Sequence, residues 1–400
     1  MRRRPTRRRP RHEDAASLAE PRRAGAFPMT ESEPETTQPP PAPVLLKITA
    51  GTLTRALRLV RRMLGWLTVA YVGGVLAAMV AIEWWGERLW VFSVLLFAPP
   101  QMLLLPLLAL TPLCLLFRPR LCLWHLGCVL VLAFGYMNFR WSGPSPRTGR
   151  TITVVTFNTG ESSPPQFFGF IAREKPDFIL LQDAGKISGT AVAARLPGFH
   201  VARAGEFALV SSLPIQKSAL LAEPRWAGRP VAARFEVLVH ERPLIFYSVH
   251  LPTPRQELSR FIGGRRILGD LVGRPHREPG FGNYREWLVL RIQLARDLRK
   301  VFADEQQPFI VGGDFNMPDH GCIYHLFADE MKDAFKQAGR GWGQTFPGGN
   351  GRYVRYFGQW LRLDYFFAGR GWRAVECRPE PGRISQHKAV LARFEPAPEK

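Results

Sequence analysis

Three long apolar runs come first along the chain, and a mosaic of short ones follows. Met63–Ile82 is 20 residues without a charge, Leu89–Phe117 is 29, and Leu121–Phe139 is 19 with only His125 ionisable. About 20 apolar residues cross a bilayer core, so the pattern predicts a membrane region over 51–140 with helices at 63–82, 89–117 and 121–139. A cleavable leader would not bring two further spans with it. Pro99, Pro100 and Pro106 interrupt the second run and leave a kinked or re-entrant segment open as the alternative to a straight helix. Trp84, Trp85 and Trp90 cluster where the first two runs meet, the depth at which indole rings favour the membrane interface. His125 is expected to face that interface or a neighbouring helix.

From residue 151 the runs shorten and change period. Thr151–Phe157, Phe178–Leu181, Phe207–Ser211, Phe309–Val311, Leu363–Phe367, Arg373–Cys377 and Ala389–Phe394 are short, β-branched or aromatic, and read as strands. Val231–Val239 and Leu244–Val249 read as a hairpin across Glu241-Arg242-Pro243. Pro165–Glu174 and Trp287–Phe302 have helical spacing. Strands interspersed with helices over about 250 residues predict an α/β sandwich occupying 151–400, joined to the membrane region by a Pro/Gly-containing linker at 141–150. Residues 1–50 contain two arginine runs and a Pro, Glu and Thr-rich stretch that cannot bury a core, and read as a disordered tail.

Composition refines this. Hydrophobic residues are 46% and charged residues 22%, which excludes wholesale disorder. Lys and Arg total 54 against 33 Asp and Glu, a net charge of +21 that suits an anionic partner: a membrane surface, a phosphate ester or nucleic acid. The N-terminal arginines fit either such a contact or a topology signal. Arg55, Arg58, Arg61 and Arg62 precede the first run, Glu83 and Glu87 follow it, and Arg118 and Arg120 lie between the second and third. The positive-inside rule then expects a multi-pass protein of the plasma or inner membrane, N-terminus in the cytoplasm and the α/β domain outside it. The five cysteines show no paired spacing, and only Cys322 and Cys377 lie outside the membrane region, so neither a disulfide framework nor a Cys-based metal site is expected.

Several strands end in polar residues of one chemical kind. Val-Thr-Phe-Asn158 ends in an amide, Leu-Leu-Gln-Asp183 in an amide and a carboxylate, and Tyr-Ser-Val-His250 in an imidazole. Gly-Gly-Asp314-Phe-Asn316 places an acid and an amide two apart, which in an extended segment face the same way. Arg-Leu-Asp364 and Ser-Gln-His387 complete the set. Asp, Asn and water oxygens suit a hard divalent cation such as Mg2+, and two histidines nearby can move protons or hold phosphate oxygens. Any one of these residues could simply start a turn; six together point to a site.

In that order these segments resemble the endonuclease/exonuclease/phosphatase superfamily, with its deoxyribonuclease I-like fold, over residues 151–395. The whole chain is similar to membrane-tethered members of that superfamily that act on lipid phosphates. The resemblance implies a four-layer sandwich of two mixed sheets flanked by helices, and a hydrolase of phosphoester bonds using Mg2+ or Mn2+. It implies that Asn158 and Asp183 hold the metal and that Asp314 orients the attacking water. Asn316 would fix a phosphate oxygen, and His250, oriented by Glu206, would protonate the leaving oxygen. Asp364 would pair with His387, which also contacts substrate. The chain departs from the pattern twice: Asp183 stands where the family usually has Glu, and Gln386 where it usually has Asp.

Between His250 and the helix at 287, the segment Pro252–Tyr284 mixes apolar and basic residues, as a lipid-facing lid or a solvated hairpin would. Arg255, Arg265 and Arg266 are its candidate phosphate contacts. The expected partners are membrane lipids and a phosphorylated substrate, lipid-linked in the first reading. A tethered nuclease acting on nucleic acid is the alternative, and a non-catalytic phosphate or lipid binder is a second one. No feature specifies a protein partner.

Overall fold

The computed structural model describes residues 50–146, 149–160, 165–186, 194–254, 258, 284–347, 352–382 and 386–398. The arginine runs of the tail, and Arg255, Arg265 and Arg266, lie outside the described residues.

The apolar region forms α1 (Ala50–Trp85), α2 (Trp90–Phe97), α3 (Leu107–Phe117) and α4 (Cys122–Leu130). Three helical stretches, Gly51–Trp85, Pro100–Phe117 and Pro119–Tyr136, are long and apolar enough to cross a membrane. The second run is not one helix over 89–117. It breaks after Phe97, continues as a 3-10 turn over Pro100–Leu104, and resumes as α3. Pro99, Pro100 and Pro106 lack the amide hydrogens that a continuous helix would need there. His125 sits between Thr68 and Thr111, with ring nitrogens 3.2 and 3.1 Å from their hydroxyls, so it ties neighbouring helices together.

Residues beyond 150 build two six-stranded mixed sheets. The first takes β1 (Ile152–Asn158), β2 (Phe178–Gln182), β3 (His200–Ala204), β4 (Phe207–Ser211), β13 (Trp372–Pro379) and β14 (Val390–Pro396), in the order β13-β14-β1-β2-β4-β3. The second takes β5 (Ile215–Leu220), β8 (Ala232–Val239), β9 (Arg242–His250), β10 (Phe309–Asp314), β11 (Lys332–Asp333) and β12 (Asp364–Ala368), in the order β11-β12-β10-β9-β8-β5. Two short strands, β6 (Arg225–Trp226) and β7 (Arg229–Pro230), pair with each other. Each large sheet has one parallel pair at its centre, β1 with β2 and β9 with β10, and antiparallel neighbours around it.

Period-two alternation sorts the side chains into layers. Val154, Phe178, Leu180, Phe246 and Ile310 fill the space between the sheets. Val155, Phe157, Ile179 and Leu181 point the other way, onto Phe167, Phe170 and Ile171 of α5 (Pro165–Glu174). On the far side, Tyr247, Val311 and Phe367 pack under α6 (Tyr284–Asp304) and α7 (Gly321–Ala328). Short helices α8 (Ala334–Ala338) and α9 (Arg352–Phe357) complete the domain. The order is helix, sheet, sheet, helix, the expected four-layer sandwich, and burial on both faces explains why the central strands read as unbroken apolar runs.

Candidate active site

The inward face of the central strands turns polar toward one end, and the site grows out of the core there. Thr156, Gln182 and Ser248 form a buried layer above the apolar one. Gln182 Nε2 donates to Ser248 Oγ at 2.8 Å and to Thr156 Oγ1 at 3.1 Å, joining the two sheets. Gln182, which reads in the sequence as a rim amide beside Asp183, is therefore an inter-sheet link: adjacent strand positions face opposite ways.

One step further come Asn158, His250, Asp314 and Asp364. Strand register sets the last three side by side, with Asp314 opposite His250 on one neighbour and Asp364 on the other. Gly312 and Gly313 allow the close approach beneath them. A Cβ on Gly312 would lie 2.9 Å from Leu180 Cδ1 across the sheets. Gly313 has φ +154, and a Cβ there would lie 2.8 Å from the carbonyl carbon of Val249 and closer still to its oxygen. Only glycine fits at this position.

Asp314 is the hub. Its Oδ2 accepts from Asn158 Nδ2 at 2.9 Å and from Asn316 Nδ2 at 3.2 Å, and its Oδ1 accepts from Asn316 N at 2.8 Å. Asn316 Nδ2 also donates to Leu251 O at 2.9 Å. The Asn316 amide is thus engaged in holding the acid, a function beyond the phosphate contact that its motif implies. Two imidazoles converge on the same carboxylate oxygen: His387 Nε2 lies 3.6 Å and His250 Nε2 3.9 Å from Asp314 Oδ2. Each has an acid behind it. His387 Nδ1 is 3.0 Å from Asp364 Oδ2, and His250 Nδ1 is 3.1 Å from Glu206 Oε1 and 3.5 Å from Asp183 Oδ1. Such pairing fixes the tautomer that leaves Nε2 toward the reaction centre.

Asp183 reaches this group through a left-handed turn at φ +50, a conformation Asp tolerates better than most residues. Thr159 Oγ1 pins the turn by donating to Asp183 O at 2.8 Å. Arg229 Nη1 lies 3.1 Å from Glu206 Oε2. Burial disfavours a charged His250, yet the Glu206 hydrogen bond and the charges of Asp314 and Asp183 outweigh it and hold the imidazole above its usual range. Burial raises Asp183, with Glu206 and Asp314 adding to the effect against His250 and Arg229. Burial also raises Asp364, opposed by His387.

The residues fit a divalent cation. Asp183, Glu206, Asp314 and Asp364 bring four carboxylates against Arg229 and two imidazoles, and the buried Asp364 Oδ1 has no hydrogen-bond partner among the described residues. Two groups, Asp183/Glu206/His250 and Asp314/Asp364/His387, place potential ligand atoms within 4.8 Å of one another. Asn158 and Asp183 flank this region with oxygen donors, the set a hard cation prefers.

The family model described as "Endonuclease/Exonuclease/phosphatase family" matches residues 155–387. The chain belongs to this family, whose members are hydrolases of phosphoester bonds and generally need a divalent metal. Similar solved structures include an endonuclease/exonuclease/phosphatase from Beutenbergia cavernae, at 16% identity over 62% of this chain and 72% of that one, with TM-score 0.41. An AP endonuclease from Archaeoglobus fulgidus matches at 15% identity over 60% and 98%, with TM-score 0.43. A 3′ phosphatase from Neisseria, bound to a product DNA hairpin, matches at 16% identity over 61% and 99%, with TM-score 0.41. No curated protein matches.

Asn158, Asp183, Glu206, His250, Asp314, Asn316, Asp364 and His387 thus lie together at one rim. Arg362, from the same motif as Asp364, does not join them. It is buried in a paired contact with Asp333, at 2.9 and 2.7 Å, and serves the fold. Thr345 and Phe346 carry no ionisable group, yet both support the site. Thr345 Oγ1 accepts from Leu363 N at 3.0 Å and Asp364 N at 3.2 Å, and the Phe346 ring packs 4.9 Å from that of His387.

Proposed function

We propose that this chain is a membrane-anchored phosphohydrolase, dependent on Mg2+ or Mn2+, that cleaves a phosphate ester or pyrophosphate carried by a lipid. The convergence of two acid-backed imidazoles on Asp314 carries the catalytic part of this reading. Asp314, held by Asn158 and Asn316, orients the attacking water. His387, braced by Asp364, binds a phosphoryl oxygen. His250, braced by Glu206 and kept readily protonated, delivers the proton to the leaving oxygen. Asn158 and Asp183 would hold the cation, which supplies neutralisation of phosphoryl charge.

The lipid-linked part rests on the anchor: three helices apolar enough to cross a membrane would hold the catalytic rim close to a lipid surface. Orientation follows from charge. Arg61 Nε donates to Phe117 O at 3.0 Å and Arg118 Nη1 to Arg61 O at 3.2 Å, gathering arginines at one end of the helices. Glu83 and Glu87 at the other end meet the α/β domain. The positive-inside rule puts the arginine end in the cytoplasm and the catalytic domain outside it.

The test is phosphate release by the full-length protein in proteoliposomes, assayed on a polyprenyl diphosphate, a phosphoinositide, sphingomyelin and plasmid DNA, with and without EDTA. EDTA-sensitive release from a lipid substrate is expected. DNA nicking without lipid hydrolysis would establish the nuclease alternative instead.

A further inference from the structure

We propose that Glu87, in the turn between α1 and α2, and Arg291, on α6, position the catalytic loop Asp314-Phe315-Asn316, so that full turnover requires the apolar helices to be docked on the α/β domain. The inference rests on that loop belonging to the hydrolytic centre described above.

Both side chains are wholly buried. Glu87 Oε2 accepts from Cys322 N at 2.8 Å and Ile323 N at 3.5 Å, the second and third residues of α7. The residue at that helix's own N-cap position, His320, makes no side-chain capping bond, so Glu87 caps α7 from a distant part of the chain. A carboxylate there also meets the positive end of the helix dipole. Gly321 makes room for it: at φ +84, a Cβ would lie 3.0 Å from Glu87 Cδ and closer still to Oε2. Helix α7 begins five residues after Asn316, so its N-terminus and the catalytic loop are held by one short connection.

Arg291 grips the loop itself. Its Nη2 donates to the carbonyl oxygen of Asn316 and lies 3.4 Å from that of Phe315. Asn316 sits at φ +47, so its backbone needs such support, and its side chain is the one that fixes Asp314. On its other side, the guanidinium lies 5.4 Å from the Trp287 ring and 5.9 Å from that of Phe97, the last residue of α2. Glu87 Oε1 and Arg291 Nε and Nη1 have no hydrogen-bond partners among the described residues. In this water-poor junction burial works against the charged form of each side chain and the opposite charge of the other partly offsets it, so removing either leaves the other uncompensated. Helix docking, α7 and the catalytic acid are therefore mechanically continuous.

The experiment uses full-length protein in detergent micelles and a small aryl phosphodiester, bis(4-nitrophenyl) phosphate, which carries no lipid. Glu87→Gln and Arg291→Met should each lower kcat at least about tenfold with KM within about twofold, because loop geometry changes and substrate binding does not. Glu83→Gln removes a different docking contact, to His320 and His325, and should stay within about twofold of wild type. If Arg291→Met fails to fold, Arg291→Lys, which keeps the charge, should still lower kcat with KM unchanged. Hydrogen exchange supplies a readout independent of activity: amides of 315–323 should lose protection in Glu87→Gln while those of β1 and β2 do not. A wild-type protein inactive on every phosphoester would sink the hydrolase reading, and exchange would still decide this one. Unchanged kcat with unchanged exchange, or an equal loss in Glu83→Gln, overturns the proposal.

Discussion

Replacing Asp364 by Asn tests the pairing logic of the site at one atom. Asn keeps the shape of the side chain and removes the charge that His387 Nδ1 meets at 3.0 Å. Asp364 is 2% exposed, so water cannot replace the lost partner. A buried hydrogen bond between charged groups contributes about 1.5–3 kcal/mol, which converts to a loss of about 10- to 100-fold in kcat if the contact matters most in the transition state. The assay is steady-state hydrolysis by the full-length protein, run as a double-mutant cycle with His387→Ala. Asp364 acts through His387, so the double variant should be no slower than His387→Ala alone. Strictly additive losses, or an Asp364→Asn rate equal to wild type, would show that Asp364 does not act through His387.

Two further predictions concern stability. Gly313→Ala should cost roughly 3 kcal/mol or more, because its Cβ would overlap the Val249 backbone at a positive φ; a melting temperature unchanged in a thermal scan would contradict this. Burial works against protonation of His320, but the hydrogen bond to Glu83 and the charges of Asp319 and Glu83 prevail and raise its pKa. A raised folded pKa stabilises fully below the unfolded value of about 6.5 and loses that contribution as pH rises through the folded value. Protease resistance at the helix–domain junction should therefore fall toward alkaline pH, and His320→Gln should flatten the profile.

How far the sequence specifies the site depends on where its determinants lie. Asn158, His250 and Asp314 were legible because each ends a strand whose apolar run is buried on both faces, and Gly312-Gly313 marks the close packing beneath. Edge strands were harder to see. Ile215–Leu220 is mostly exposed and contains Gln, Lys and Ser, so nothing apolar recurs at period two. Glu83 and Glu87 read as charges flanking a membrane segment, and their work is visible only once His320, His325 and the α7 amides fold against them. Arg362 carried a motif signature, but its partner Asp333 lies 29 residues away in sequence, and only the fold shows that the pair is buried. Asp183, one of the two residues that depart from the resembled pattern, still reaches His250, through a left-handed turn that sequence alone does not announce.

The proposed hydrolase needs these acids and imidazoles to form one phosphoester-cleaving centre with Asp314 at its middle. Metal-dependent phosphate release by full-length Asp314→Ala, compared with wild type on the same lipid diphosphate, measures it most directly. The expected result is a loss of at least about 100-fold with the fold intact by circular dichroism. A rate indistinguishable from wild type on every phosphoester tried would contradict it and leave the domain a binder of phosphate or lipid.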